Sequence, residues 1–230
     1  MPRQPRLIED GLIYHALNRG NNRSAVFVDD RDYFAFLQAL AQTRERYPFR
    51  LYAYCLMSNH FHLVLQPEGR QSISRIIQSL TVAHTWRVHK QQGSVGHVWQ
   101  GRFKSPVIQD DNHLFVVMRY VESNPLRAGI VADMADHRWS SYAFHALGLE
   151  NDLVNEAPGW STLANSGEAR QTYWRRWVHT PLTERELVGL RQAVVSGRPY
   201  GSESWVERMA SRLGIDLLSR PRGRPSKLKK

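Results

Sequence analysis

The spacing of apolar positions along the chain changes several times, and each change marks an element. "GLIYHALNRG" (11–20) starts as a strand and closes on a Gly/Asn-rich turn. Residues 29–46 open with acids and set Phe34, Leu37, Leu40 and Ala41 at helical intervals. "FRLYAYCLM" (49–57) is short and aromatic, hence a strand; "SN" (58–59) is turn chemistry, and 60–66 is the second strand of a hairpin. A helix over 72–92 carries Ile73, Ile76, Ile77, Leu80 and Ala83 on one side, with His84 at the edge of the stripe. Residues 96–109 predict a strand bent around Gly101. Residues 110–124 predict a helix with acids in its first turn and a stripe of Leu114, Val117, Met118 and Val121. Pro125 ends it, because the residue before a proline avoids helical geometry.

The order strand–helix–strand–strand–helix–strand, then a further helix, predicts an α+β fold. It is the ferredoxin-like (RRM-like) pattern, an antiparallel sheet with helices packed on one face. Past "WSSY" (139–142), residues 148–167 read as a linker, followed by helices at 168–178, 184–195 and 203–213. The chain therefore divides into a domain at 1–150, a helical accessory region at 151–218 and a basic, disordered tail at 219–230. The last two helices form either a helix-turn-helix-like pair or a small supporting bundle.

Charge narrows the function. The chain of 230 residues has a formal net charge of +10, so an anionic partner is expected. The last twelve residues hold six basic residues and no acid. Within them "PRGRP" is either an AT-hook core, with Arg222 and Arg224 along the minor groove of A·T-rich duplex, or a generic basic tail. No apolar run approaches the ~20 residues of a membrane span, and the start of the chain lacks the apolar run of a secretory signal. One cysteine, Cys55, excludes an internal disulfide. These features predict a cytoplasmic, nucleoid-associated protein with neither membrane nor obligate protein partner.

The chemistry concentrates in "CLMSNHFHLVLQ" (55–66). Alternation along the strand sends Phe61, Leu63 and Leu65 to one face and His60, His62 and Val64 to the other. Two imidazoles about 7 Å apart can then converge on one metal ion; the alternative is a pair of partly exposed histidines. Polar rings in an apolar strand cost stability unless satisfied. On the helix, Tyr120 and Asn124 lie four apart and share a face, though they also read as a core-flanking tyrosine and a helix-ending residue. His113, two turns before Tyr120, is a candidate assisting group or a surface histidine. Arg19 and Arg23 in "NRGNNR", Arg102 and Lys104 in "GRFKS", and Arg127 are candidate phosphate contacts along a groove for single-stranded DNA.

Taken in order, "NRGNNR", "YCLMSNHFHLVL", "VWQGRFKS", "RYVESNPLRAGIV" and "WSSY" closely resemble the single-tyrosine HUH transposases of small insertion sequences, above all their REP-associated branch. Ser58 stands where relatives often have proline, a change that touches the turn and not the chemistry. The resemblance implies that Tyr120 is the nucleophile and that His60, His62 and Asn124 hold Mg²⁺ or Mn²⁺. It implies a metal-dependent, hairpin-specific endonuclease and strand-transferase, forming a 5′-phosphotyrosine and a free 3′-OH. The implied partners are single-stranded hairpins of repetitive extragenic palindromes with an adjacent guide sequence. A phenol of pKa ~10 is mostly protonated at neutral pH and needs help to attack. Two other readings remain: a catalytically silent DNA-binding regulator of the same fold, and an RNA-binding module, which lacks the expected aromatic strand signature.

Overall fold

A computed structural model of the chain describes residues 11–110 and 112–217. Its first part is β1 (Ile13–Arg19), α1 (Asp30–Arg46), β2 (Phe49–Met57), β3 (His60–Pro67), α2 (Ile73–Gln92), β4 (Val107–Ile108) and α3 (Asn112–Glu122). The strands form one antiparallel sheet in the order β2-β3-β1-β4. This is the split βαβ arrangement that the element order predicts.

The helices start and stop where the local chemistry says they should. Asp29 caps α1 by accepting from the Arg31 amide, and Ser72 caps α2 through the Ser74 amide. α2 ends at Gly93, which takes a φ of 58° that a side chain would resist. Phe36, Leu40, Ile76, Ile77 and Leu80 from the two helices meet Phe61, Leu63 and Leu65 of β3 in one buried cluster. A register shift between Leu51 and Ala53 turns both Tyr52 and Ala53 toward the opposite face, while Tyr54 and Leu56 stay with the first cluster.

The opposite face is also covered. α3 lays Leu114, Val117, Met118 and Val121 against Ile13, Ala53, Cys55 and Val64. It begins at Asn112, so its first turn lacks the acids expected there. The helical path breaks at Ser123 and resumes in α4 (Asn124–Arg127), with Pro125 in its first turn. A missing N–H costs nothing there, so the proline opens a second helix just beyond the one it ends.

The segment 148–167 is not a free linker. Val154, Ala157 and Trp160 are buried, and Asn155 exchanges hydrogen bonds with the Leu51 backbone at the edge of β2. Before this segment lies α5 (Tyr142–Leu147), a short helix the apolar pattern did not predict; after it come α6 (Gly167–His179), α7 (Glu184–Ser196) and α8 (Glu203–Arg212), near the expected positions. Trp174, Val178, Leu182 and Leu190 join the α3 cluster, so one core runs across residue 150. Between α7 and α8, Tyr200 pairs in parallel with Ile108 of β4. That contact favours the supporting-bundle reading of these two helices. Among the described residues no helix is long and apolar enough to cross a membrane.

Candidate nuclease site

β1 lies antiparallel to β3 with Leu17 opposite His62 and Arg19 opposite His60. This register puts Ile13, His15 and Leu17 on the same face as His60, His62 and Val64. The His60 and His62 rings stand 5.0 Å apart at 85°, close enough to address one ion. Above them, the apolar stripe of α3 holds Tyr120 at its half-buried edge. The Tyr120 ring meets His62 edge-on at 6.0 Å and His15 at the same distance. The Arg127 guanidinium sits 4.5 Å over the Tyr120 ring, a cation–π contact that steadies it.

His15 is the residue that sequence reading passed over. It is 1% exposed, and its Nε2 lies 2.8 Å from His62 Nδ1. The clue was present in "IYHALNRG", a polar ring inside an apolar strand, the same signal that drew attention to His60 and His62. Asn59 was passed over too. Its Oδ1 is 2.6 Å from His60 Nδ1, and its Nδ2 donates to the Arg23 carbonyl at 3.1 Å. The turn "SN" thus ties His60 to the "NRGNNR" loop. That loop needs Gly20, where a Cβ would meet the Ser24 carbonyl oxygen at 2.2 Å. It also carries Asn22 and Arg23 at positive φ.

Burial holds these imidazoles neutral. It pushes His15 down to about 3, and with Arg19 nearby His60 down to about 4. His62 falls well below the usual range through burial, then through His15, His60, Arg127 and Arg19. Neutral rings are what cation ligation requires. With each Nδ1 engaged, the Nε2 atoms of His60 and His62 are the candidate donors. Asn124 opens α4 one turn past Tyr120, and its side-chain nitrogen is buried without a partner. Among the described residues no three His, Cys, Asp or Glu side chains converge on a point, so other ligands would be amide, water or phosphate oxygens.

The remaining candidates scatter. Arg19 and Arg127 are exposed beside the histidines, and their charges reach His62. Arg23 is exposed on the loop behind Asn59, and Arg102 is exposed after Gly101. Lys104 pairs through its backbone with Leu17. His113 lies at the other end of α3, where its ring packs edge-on to Tyr200 at 5.4 Å. Seven residues of helix, ~10 Å of rise, separate it from Tyr120, so it does not join the cluster. Arg222 and Arg224 lie outside the described residues.

A ferredoxin-like sheet that carries an H-x-H pair, faced by a helix-borne tyrosine, is the layout of the HUH-type tyrosine transposases. Residues 9–124 match the family described as "Transposase IS200 like". A Haemophilus influenzae protein bearing the name of REP-associated tyrosine transposase is 32% identical over 117 residues, 46% of this chain and 66% of its own length. The REP-associated tyrosine transposase of Escherichia coli is 24% identical over 143 residues, 60% of this chain and 79% of its own. A solved REP-associated tyrosine transposase bound to a REP hairpin superposes with a TM-score of 0.55 at 20% identity, covering 67% of this chain and 94% of that one. The chain belongs to the IS200-like transposase family.

Proposed function

We propose that this protein is a metal-dependent single-stranded DNA endonuclease and strand-transferase that works through a tyrosine–DNA adduct. The observation that carries the reading is the Tyr120 ring set 6.0 Å from His62, itself beside His60. His60 and His62 would hold Mg²⁺ or Mn²⁺ through Nε2, and Asn124 through its carboxamide oxygen. The buried end of the Asn124 carboxamide has no hydrogen-bond partner, and flipping the amide puts its oxygen, the atom a cation takes, at that place. Imidazole donors alone would suit softer metals as well. When bound, the ion supplies Lewis acidity toward the non-bridging oxygens of the phosphodiester.

The chain's own residues account for the rest. Arg127 fixes the tyrosine ring, and with Arg19 it gives the site a positive potential suited to a phosphate. The Tyr120 oxygen attacks phosphorus and gives up its proton to water or a base; the bond from phosphorus to the 3′ oxygen breaks, and that oxygen takes a proton as the 3′-OH. The phosphoester is retained on the tyrosine, so attack by a 3′-OH reseals the strand without ATP. The substrate in this reading is a hairpin of a repetitive extragenic palindrome with its guide sequence. Support comes from the hairpin-bound relative of similar fold.

Incubation of the protein with labelled hairpins and Mn²⁺ should leave a covalent adduct on a denaturing gel. Tyr120→Phe should abolish adduct and cleavage while retaining hairpin affinity within about threefold, as expected for loss of one hydroxyl that acts only in the chemical step. A Phe variant that still cuts removes Tyr120 as nucleophile. A wild-type protein that binds hairpins but forms no adduct is the silent regulator instead.

A further inference from the structure

We propose that His15 is the positioning residue that sets the tautomer of His62 and so presents His62 Nε2 to a divalent cation. The inference rests on the metal site of the preceding section and extends it one residue outward.

The two histidines of the pair are held differently. For His60 the tautomer is dictated by the backbone. The Arg23 carbonyl accepts from Asn59 Nδ2, so the atom facing His60 is the amide oxygen. An amide oxygen only accepts, so His60 Nδ1 carries the proton and Nε2 keeps its lone pair. For His62 the facing atom is another imidazole nitrogen, His15 Nε2, at 2.8 Å. One proton lies between them, and it belongs to either ring. If His15 donates, His62 carries its own proton on Nε2 and cannot ligate there. If His15 accepts, His62 Nε2 is a free donor.

His15 is free to accept. Its Nδ1 is buried without a hydrogen-bond partner, so shifting the proton to that atom breaks no other bond. A neutral imidazole carries one proton and one lone pair, so with the proton on Nδ1 the Nε2 atom accepts. A metal-ligating histidine commonly has its second nitrogen fixed by such a partner, and loss of the partner weakens metal binding. An apolar side chain would fill this place in β1 without leaving a buried nitrogen unpaired. His15 is not itself a ligand in this arrangement, because its Nε2 is spent on His62 and its Nδ1 points into buried surroundings.

Mn²⁺ binding to the full chain without DNA, followed by electron paramagnetic resonance, tests the proposal. His15→Phe should weaken Mn²⁺ binding by about 10–100-fold, and His15→Gln, whose amide oxygen can still accept, should recover most of it. Imidazole nitrogen NMR of the wild type loaded with Mg²⁺ should find the proton of His62 on Nδ1. Undiminished Mn²⁺ affinity in a folded Phe variant, or a His62 proton on Nε2 in the loaded protein, overturns the role of His15 alone. A Phe variant that fails to fold leaves the NMR result to decide. A wild-type protein that takes up neither ion removes the metal site and this proposal together.

Discussion

His15, His60 and His62 sit together as neutral rings, and their environment gives the protein a definite response to acid. Their native pKa values are lowered, to about 3 for His15 and about 4 for His60, whereas an unfolded histidine titrates near 6.5. Between pH 6.5 and 4 the unfolded chain therefore binds protons that the native one refuses. Stability is fully present above the unfolded value and drains away as pH falls through that window. Each such histidine contributes a slope of up to about 1.4 kcal/mol per pH unit. Urea unfolding in EDTA should show a lower midpoint at pH 5 than at pH 7. Added Mn²⁺ should oppose the loss, since cation and proton compete for the same nitrogens. A midpoint unchanged between the two pH values would mean that the rings are charged or solvated in the native state.

Tyr120 depends on how firmly α3 is held. Two residues beside it tie the helix to the C-terminal helices. Arg119, 3% exposed, bonds Glu186 of α7 at 2.7 Å and lies 4.6 Å over the Trp177 ring of α6. Glu122, fully buried, accepts from His145 Nδ1 at 2.7 Å, from Trp174 Nε1 at 2.7 Å and from the Ser141 hydroxyl. The "WSSY" stretch therefore serves the tyrosine helix from a distance. Its Ser141 also bonds the backbone of Tyr54, and Trp139 stacks on Tyr33 of α1 at 4.6 Å. Removing the carboxylate leaves the buried His145 and Trp174 donors unpaired, while Ser141 keeps the Tyr54 carbonyl. Glu122→Ala should cost about 3–5 kcal/mol, the range for breaking a buried polar pair, measured by urea denaturation. A loss below 1 kcal/mol would show that water reaches the network easily.

Residues beyond α4 complete the sheet. The backbone of residues 139–141 bonds the outer edge of β2, joined further along by Asn155, and Tyr200 occupies the outer edge of β4. Exposed strand edges invite association with other chains, and here both are covered from within the molecule. Trp160, Trp174 and Val178 supply apolar surface to the face that carries Tyr120. A fragment ending at residue 150 loses that cover along with Trp174, one of the three donors to Glu122, and with Glu186 and Trp177, the partners of Arg119. It should be poorly dispersed in proton NMR and prone to aggregate, while the full chain gives a sharp spectrum. A well-dispersed fragment spectrum would establish residues 1–150 as a domain that folds alone.

Local chemistry along the chain carried much of this. The periodicity of the apolar residues, the caps at Asp29 and Ser72 and the turn at 58–59 depend on neighbours in sequence, and the helices and hairpin follow from them. The H-x-H strand is legible for the same reason, since a strand repeats every second residue. What lay beyond reach was the meeting of distant residues. His15 touches His62 across 47 positions because of the β1–β3 register. Arg127 reaches the Tyr120 ring from beyond the break at Ser123, and Glu122 finds donors at α5 and α6. Register, bulges and helix packing emerge from the summed burial of many side chains, and no short window of sequence contains that sum.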